Sequence, residues 1–308
     1  MRVFVTGASG FVGAHLVRRL RADGRHEVAA LLRPKGHAWR LDDPRAEVRA
    51  IAGDLDGLEA VRPELARFAP EAVIHLAWSG VSGAARNDPS QAENINRTVA
   101  LVRLAREVGA RTFVGLGSQA EYGLGSGALN EDTPTRPTTL YGVAKLAAGL
   151  FAGQICRDQG VRFAWLRLFS SYGPMDEPSW MIPNLIRTLL RAEMPALTLG
   201  TQLWDFIAVE DVARAIEAVT TTPDASGVFN LGSGRVRTIR SVAEMIRDQI
   251  NPELPLHFGA VPFRPDQVMH LEADIRTLRA ATGWTPETDL ADGLARTIDW
   301  FRTHGGRS

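Results

Sequence analysis

Arg2-Val-Phe-Val-Thr6, followed at once by Gly7-Ala-Ser-Gly10-Phe-Val-Gly13, is the stretch on which the reading of this chain turns. A short apolar run with β-branched residues ends at a G-x-x-G-x-x-G spacing, and an amphipathic segment, Phe11–Ala22, begins inside that spacing. Each glycine has a separate task in such a turn: Gly7 allows the tight reversal, Gly10 lets the backbone approach a pyrophosphate, and Gly13 lets the helix lie close against the sheet. The free N–H groups of the first helical turn then face the phosphates. Ser9, Phe11 and Val12 complete the loop and count with the glycines as expected cofactor contacts. An ordinary glycine-rich turn can show the same spacing, but the place directly between a strand and a helix favours the dinucleotide reading.

Outward from this motif, short apolar runs alternate with amphipathic stretches. The runs are Val3–Val5, Val28–Leu32, Val48–Ile51, Ala72–Leu76, Thr112–Leu116 and Arg162–Leu168; the helical patterns between them include Leu58–Phe68 and Gln91–Val108. That rhythm predicts an α/β fold, a doubly wound parallel sheet of the Rossmann kind. Past Leu168 the rhythm breaks: prolines 174, 178, 183 and 195 crowd a region of short elements, and helices over Val209–Thr221, Ile239–Ile250 and Leu290–Phe301 alternate with brief strands. The expected division is a dinucleotide-binding domain over 1–169, to which 205–231 returns, and a smaller C-terminal substrate-binding lobe from 170–204 and 232–308.

The end of the second strand bears on the cofactor. An acid there binds the ribose 2′-hydroxyl of NAD, whereas an arginine accommodates the 2′-phosphate of NADP. Here Val28–Leu32 runs into Arg33-Pro34-Lys35, with Arg40 nearby and no acid before Asp42. NADP(H) is the better match and NAD remains possible; Arg33 also reads as a solvated loop cation. Gly53-Asp54-Leu55, after the third strand, is placed to cradle adenine, although Asp54 equally suits the cap of the following helix.

Composition excludes several classes. Lys plus Arg and Asp plus Glu both number 35 in 308 residues, so no global field favours nucleic acid or an anionic membrane. The single cysteine, Cys156, excludes an intrachain disulfide framework and cysteine metal clusters. The seven histidines show no ligand spacing, His75 reads as a strand-end residue, and no metal is expected. No apolar run is long enough to span a bilayer and no leader precedes the first strand, so a soluble cytoplasmic protein is expected.

Tyr141-Gly-Val-Ala-Lys145 opens another helical stretch, and a spacing of four puts both side chains on one face. A nearby ammonium favours tyrosinate and so lowers a tyrosine pKa towards the range useful for proton transfer. Alone this pair is common surface decoration. Its context changes the reading, because it follows a strand that ends in Gly117-Ser118, a hydroxyl at the carboxyl edge of the sheet.

With these pieces in order, the sequence resembles the extended short-chain dehydrogenase/reductase family of nucleotide-sugar epimerases, dehydratases and reductases, over nearly its whole length. Thr6–Gly13 is similar to the family's cofactor motif and Gly53–Leu55 to its adenine motif; His75-Leu76-Ala77 ends the fourth strand, and Asn94–Thr98 resembles the helix that carries a structural asparagine. Ser118-Gln-Ala-Glu-Tyr-Gly123 and Tyr141–Lys145 match the catalytic segments, and Arg167–Pro174, Trp204–Val212, Phe229–Gly234 and Gly283–Pro286 match later landmarks. The resemblance implies that Tyr141 donates or accepts the proton at the reacting sugar oxygen, that Lys145 binds the nicotinamide ribose and lowers the tyrosine pKa, and that Ser118 hydrogen-bonds the same oxygen. It adds Leu76 and Ala77 to the cofactor contacts, and Ser79, Gln119, Ser170, Trp204 and Arg264 to the substrate contacts.

Departures from the pattern narrow the chemistry. Sugar 4,6-dehydratases carry an Asp-Glu pair after the catalytic hydroxyl, where this chain has Gln119 and Ala120, so dehydration is not expected. Ser170 and Trp204 replace an asparagine and an arginine that contact the diphosphate in many members; Arg264 reads either as a remaining diphosphate partner or as structural. Two enzyme readings survive. One is NADPH-dependent reduction of a nucleotide-diphosphate 4-keto-6-deoxy sugar, favoured by Arg33 and by the Gly117–Gly123 run; the other is 4-epimerisation with a retained cofactor. A non-catalytic NADP(H) sensor is the third reading, disfavoured because Ser118, Tyr141 and Lys145 are all present. The resemblance further implies a homodimer built on Gln91–Val108 and Tyr141–Gln159, where Ala144, Ala147, Ala148, Gly149 and Ala152 would allow close approach between subunits or merely pack on the sheet.

Overall fold

Apolar runs too short for helices, separated by one-faced amphipathic segments, can hide their apolar atoms only by stacking as a sheet beneath helices. A computed structural model of the chain describes residues 1–34, 36, 38–42, 48–125, 127–264 and 267–305. Lys35, which entered the reading of the second strand's end, and Pro265 and Asp266, which follow Arg264, lie outside the described residues. The strands are β1 Arg2–Thr6, β2 Glu27–Leu32, β3 Arg49–Ala52, β4 Ala72–His75, β5 Thr112–Ser118, β6 Gly127–Leu129, β7 Arg162–Leu168, β8 Ser170–Tyr172, β9 Ala196–Leu197, β10 Leu203–Ala208, β11 Gly227–Leu231, β12 Val236–Thr238, β13 His257–Phe258 and β14 His270–Ala273. The α-helices are α1 Phe11–Arg21, α2 Leu58–Phe68, α3 Gln91–Glu107, α4 Leu140–Asp158, α5 Met181–Leu190, α6 Val209–Thr221, α7 Ile239–Ile250, α8 Arg276–Thr282 and α9 Leu290–His304.

Seven strands form one sheet in the order β11-β7-β5-β4-β1-β2-β3, every pair parallel. This is the doubly wound Rossmann arrangement, and the six expected strands all belong to it. The seventh, β11, was visible only as part of a motif; it joins the edge beside β7. Helices α1 and α6 cover one face, burying Leu16, Val17 and Leu20 against Val212, Ile216 and Val219; α2, α3 and α4 cover the other around Phe4, Phe68, Leu101 and Phe113.

A second, five-stranded sheet runs β12-β10-β14-β6, with β8 also paired to β10. Helices α5, α7 and α9 pack together around Leu185, Ile186, Val242, Ile246, Leu294 and Phe301 as a separate core. Residues 205–231 are divided between the two layers. Helix α6 and β11 complete the large sheet and its cover, whereas β10 stays in the smaller sheet. Between β2 and β3, Trp39 stacks on Trp300 of α9 with ring centroids 5.9 Å apart, so the smaller lobe touches the loop that follows the second strand.

The small residues of α4 face the chain's own sheet. Ala144, Ala148, Gly149 and Ala152 are buried, and a Cβ at Gly149 would lie 2.8 Å from the Trp165 ring. They therefore serve internal packing. What α4 turns outward is Val143, Leu150 and Phe151, all exposed.

Candidate active site

The site forms where β1, β4 and β5 end together at the carboxyl edge of the sheet. Gly7 sits at φ +77°, and a Cβ there would come within 2.6 Å of the Ala77 amide nitrogen, so the β1–α1 turn touches the segment leaving β4. A Cβ at Gly13 would lie 2.1 Å from the Gly7 carbonyl oxygen, which shows how closely the start of α1 is drawn down. Gly10 is the N-cap of α1 with no side-chain cap, and the first turn carries no acid. Unoccupied N–H groups, a positive helix end and an open cradle suit the pyrophosphate of a dinucleotide. Ser9, Phe11 and Val12 are each half-buried around that cradle.

Beside it, the segment after β4 is anchored to α3. The Ser79 amide donates to Asn94 Oδ1 at 3.1 Å while Asn94 Nδ2 donates to the Ser79 carbonyl at 3.1 Å, and Gln91 Nε2 donates to the Gly80 and Ala85 carbonyls at 2.7 and 2.9 Å. Asn94 is thus structural here, as its helix suggested. His75, fully buried, bridges Thr6 Oγ1 at 2.8 Å and Thr98 Oγ1 at 3.1 Å; burial, with the Lys145 charge second, lowers its pKa to about 3. A neutral histidine joined to two hydroxyls ties β1, β4 and α3 together and has no spare nitrogen for a metal. Among the described residues no group of three or more His, Cys, Asp or Glu side chains is arranged to hold one.

Ser118 ends β5, and Tyr141 and Lys145 project from the first two turns of α4. The helix start is fixed twice: Thr139 caps it by accepting from the Gly142 amide at 3.1 Å, and Gly142 lies so close to the turn after β5 that a Cβ would meet the Ala120 carbonyl at 2.5 Å. This seating brings Tyr141 beside Ser118, whose side chain favours the ionised phenol. Lys145 Nζ donates to the Leu116 carbonyl at 2.6 Å and lies 3.8 Å from the Trp78 ring centroid. The guanidinium of Arg86 covers the Tyr141 ring at 4.2 Å, and Trp78 meets the same ring edge-on.

The electrostatics differ from the simple picture of an ammonium lowering a tyrosine pKa. Burial pushes Tyr141 above its usual value; the Ser118 side chain and the Arg86 charge oppose this, while Glu121 adds to it. Burial also lowers Lys145 to about 7, with Glu121 acting the other way. In this state the cation over the tyrosine is Arg86, because Lys145 Nζ is turned to Leu116 and Trp78, 5.9 Å from the tyrosine ring centroid.

A model of the family described as "NAD dependent epimerase/dehydratase family" matches residues 3–232. The chain belongs to that family. It is similar to the GDP-6-deoxy-D-mannose reductase of Pseudomonas aeruginosa, 30% identical over 97% of both chains. Among solved structures it is similar to MoeE5, 32% identical with TM-score 0.82 over 98% of this chain and 99% of the other, seen in complexes with NAD and UDP-glucose or UDP-glucuronic acid. The UDP-glucose 4-epimerase of Thermotoga maritima shares the fold with TM-score 0.87 at 24% identity, over 98% of this chain and 99% of that one. An NAD-dependent enzyme of the extended short-chain type follows from this membership.

Other expected residues of this epimerase/dehydratase-family chain fall unevenly about the site. Leu76 and Ala77 line the β4 end next to Gly7. Leu55 packs partly buried on the core under α2. Asp54 is exposed and accepts from the amides of Asp56 and Gly57, both at 3.0 Å, which makes it the turn-former at the entry to α2. Arg33 is exposed at the end of β2, whereas Arg40 donates to the Met175 carbonyl at 2.9 Å. Ser170 and Trp204 are bonded to each other, Nε1 to Oγ at 2.6 Å, across the β8–β10 pair. Gln119 is half-buried in the turn after Ser118. Arg264 is exposed, and its charge is felt by Arg86.

Three residues of the site were not singled out from sequence. Trp78 and Arg86 leave no motif, because only folding carries the segment after β4 over Tyr141. Glu121 did leave a signal: Ser118-Gln-Ala-Glu121 is a capping box, and both of its reciprocal bonds are present. The Glu121 carboxylate accepts from the Ser118 amide at 2.9 Å, Trp165 Nε1 at 3.0 Å and Arg167 Nε at 2.8 Å. Breaking one side of a buried ion pair of this kind typically costs about 3–5 kcal/mol.

Proposed function

We propose that this enzyme reduces the 4-keto group of a nucleotide-diphosphate 4-keto-6-deoxy sugar, with NADPH as the hydride source. The observation that carries the reading is the convergence of Ser118, Tyr141 and Lys145 beside the glycine cradle, in a site where Gln119 and Ala120 follow the serine. Water elimination needs an acid and a base near the sugar, and neither of these side chains can serve. When bound, the nicotinamide supplies a hydride to the carbonyl carbon. Tyr141 then gives its hydroxyl proton to the carbonyl oxygen, and Ser118 hydrogen-bonds that oxygen as negative charge develops on it. Lys145, released from Leu116, holds the ribose of the cofactor and keeps a positive charge near the phenol. Burial of Tyr141 and Lys145 keeps water away from both proton-bearing groups.

Exposed Arg33 supports NADPH, being free to meet a 2′-phosphate. The similarity to a GDP-6-deoxy-D-mannose reductase supports the reduced-sugar product. A 4-epimerase is the second reading. It is supported by the similarity to MoeE5, which binds NAD with UDP-glucose or UDP-glucuronic acid, and by the Trp39–Trp300 stack, which holds the loop after β2 and suits a retained cofactor. The test is loss of NADPH absorbance on adding 4-keto-6-deoxy sugar nucleotides, set against interconversion of 4-epimers by protein carrying NAD from purification. Epimer exchange without net NADPH consumption would overturn the reductase assignment.

A further inference from the structure

Glu121 is 1% exposed, and the proton-transfer steps above make no use of it. Its surroundings are built around it. Oε1 lies between the Ser118 amide and Trp165 Nε1, and Oε2 accepts from Arg167 Nε. Gly117 leaves the room, since a Cβ there would come within 2.5 Å of Oε1 and 2.3 Å of Trp165 Nε1. Arg167 passes the contact on to the Tyr122 hydroxyl at 2.9 Å, which donates to Asn230 Oδ1 at 2.7 Å; the Asn230 amide donates to Glu131 at 2.6 Å. The chain of bonds thus runs from Ser118 to the strand β11 that closes the sheet edge.

We propose that Glu121 is the positioning residue of the Ser118–Tyr141–Lys145 site: its reach fixes the Ser118 backbone, and its carboxylate, packed against Gly117 next to the Leu116 carbonyl that Lys145 bonds, presents a negative charge to the pair. The inference rests on the role given to these three residues. The first half follows from geometry. With its amide tied to Glu121, Ser118 is held at φ −151°, ψ 147°, and its Oγ accepts from the Ala120 amide at 3.2 Å, so the serine side chain is fixed beside Tyr141. The second half follows from the charges facing the pair. Lys145 feels the charge of Glu121 from the turn after β5 and lies by neutral His75 of β4 and the Trp78 face; Tyr141 lies by Ser118 and, from the loop before α3, Arg86, and feels the charge of Glu121, which Arg167 of β7 partly offsets. Glu121 is the anion acting on both. It opposes the loss of the Lys145 proton that burial promotes, and it disfavours tyrosinate at Tyr141. Both effects keep the pair protonated, an ammonium beside a phenol that retains its proton until the carbonyl oxygen takes it.

Two variants separate the halves. Glu121→Gln keeps the shape and removes the charge; Glu121→Asp keeps the charge but is one methylene short of the Ser118 amide. The Tyr141 titration is read by tyrosinate absorbance of each protein minus that of its Tyr141→Phe counterpart, which needs no substrate. Glu121→Gln should move that midpoint to lower pH, and with substrate it should lower kcat about 10- to 100-fold and shift the alkaline limb of the kcat profile the same way. Glu121→Asp should lower kcat while leaving the limb in place. If the Gln variant does not fold because Arg167 is stranded, Glu121→Gln/Arg167→Met takes its place in the titration, read against Arg167→Met so that the Glu121 charge alone differs. An unmoved Tyr141 midpoint, or wild-type kcat in the Asp variant, overturns the proposal. Failure of the unmodified protein to turn over any keto sugar would count against the function alone, and the titration would still decide the role of Glu121.

Discussion

Gly13→Ala probes the glycine cradle more directly than any change of a polar side chain. The added methyl would sit 2.1 Å from the Gly7 carbonyl oxygen and 2.8 Å from Ala8 Cα and the Gly7 carbonyl carbon. A relaxed contact of this kind is about 3.5 Å, so something must move by more than 1 Å. All three obstructing atoms are backbone, and the Gly7 carbonyl is itself engaged by the Gly10 amide at 3.0 Å. Gly7 has little room to retreat, because the Leu76–Ala77 peptide lies so near that a Cβ on Gly7 would come within 2.6 Å of the Ala77 nitrogen. The remaining response is for α1 to lift off the sheet, loosening the packing of Leu16, Val17 and Leu20, each fully buried. Overpacking of a rigid interior costs about 1–3 kcal/mol, and weakening the Gly7–Gly10 turn adds about 1 kcal/mol. A loss of about 2–4 kcal/mol should lower the melting temperature by roughly 3–6 °C for a chain of this size. Lifting α1 also withdraws the amides that face the phosphates, so NAD(P)H affinity should fall at least about tenfold. Differential scanning fluorimetry and cofactor fluorescence titration read the two effects. Gly24→Ala is the control: Gly24 has φ +70° but an open space for a Cβ, so it bears backbone strain alone, with cofactor affinity unchanged. Should Gly13→Ala melt within about 1 °C of the unmodified protein, at the roughly 1.5 °C per kcal/mol expected here, and bind cofactor normally, the account of the cradle is wrong.

Other expectations are as direct. Tyr141→Phe should cut turnover by about 10²–10⁴ while cofactor affinity holds, Lys145→Met should damage both, and Ser118→Ala should cost less than either, all read by nicotinamide absorbance. Arg33→Ala should weaken NADPH by about 1.5–3 kcal/mol and leave NADH untouched; equal binding of the two cofactors by the unmodified protein would contradict the 2′-phosphate role. Burial, opposed by the Glu177 amide and Arg40, raises the Asp176 carboxyl to about 7. Because the folded value is raised, its contribution to stability is present below about pH 4 and is lost as pH rises through 7. Asp176→Asn should therefore raise the melting temperature at pH 8 by several degrees and make little difference below about pH 4. Val143, Leu150 and Phe151 face outward on α4; if this face pairs two copies, Leu150→Glu with Phe151→Glu should convert a sedimenting dimer to monomer.

What could be read without the structure was whatever depends on a residue's near neighbours in the chain. Gly7, Gly10 and Gly13 stand within one turn, so the strand–turn–helix unit and its close packing were legible from spacing alone. The six sheet strands were legible because parallel strands buried on both faces must be continuous apolar runs. Tyr141 and Lys145 were legible as a pair because four residues make one helical turn. β11 was not, since a five-residue edge strand late in the chain carries no periodicity that distinguishes it from a loop. The small residues of α4 were equally ambiguous. Their spacing allows close approach to anything, and only the position of Trp165 on β7 shows that the partner is the chain's own sheet.

The charges around the tyrosine belonged wholly to tertiary structure. Arg86 lies 55 residues before Tyr141 and Arg167 lies 46 after Glu121. Nothing local links them, and they meet only because the segment after β4 folds over the start of α4 and β7 lies beside β5. Proton affinity follows from burial and from distances to charges through space, so the sequence by itself specified which groups carry the protons. The fold decided how tightly each is held: a tyrosine raised by burial, a lysine lowered to about 7, and a buried carboxylate between them and the rest of the protein.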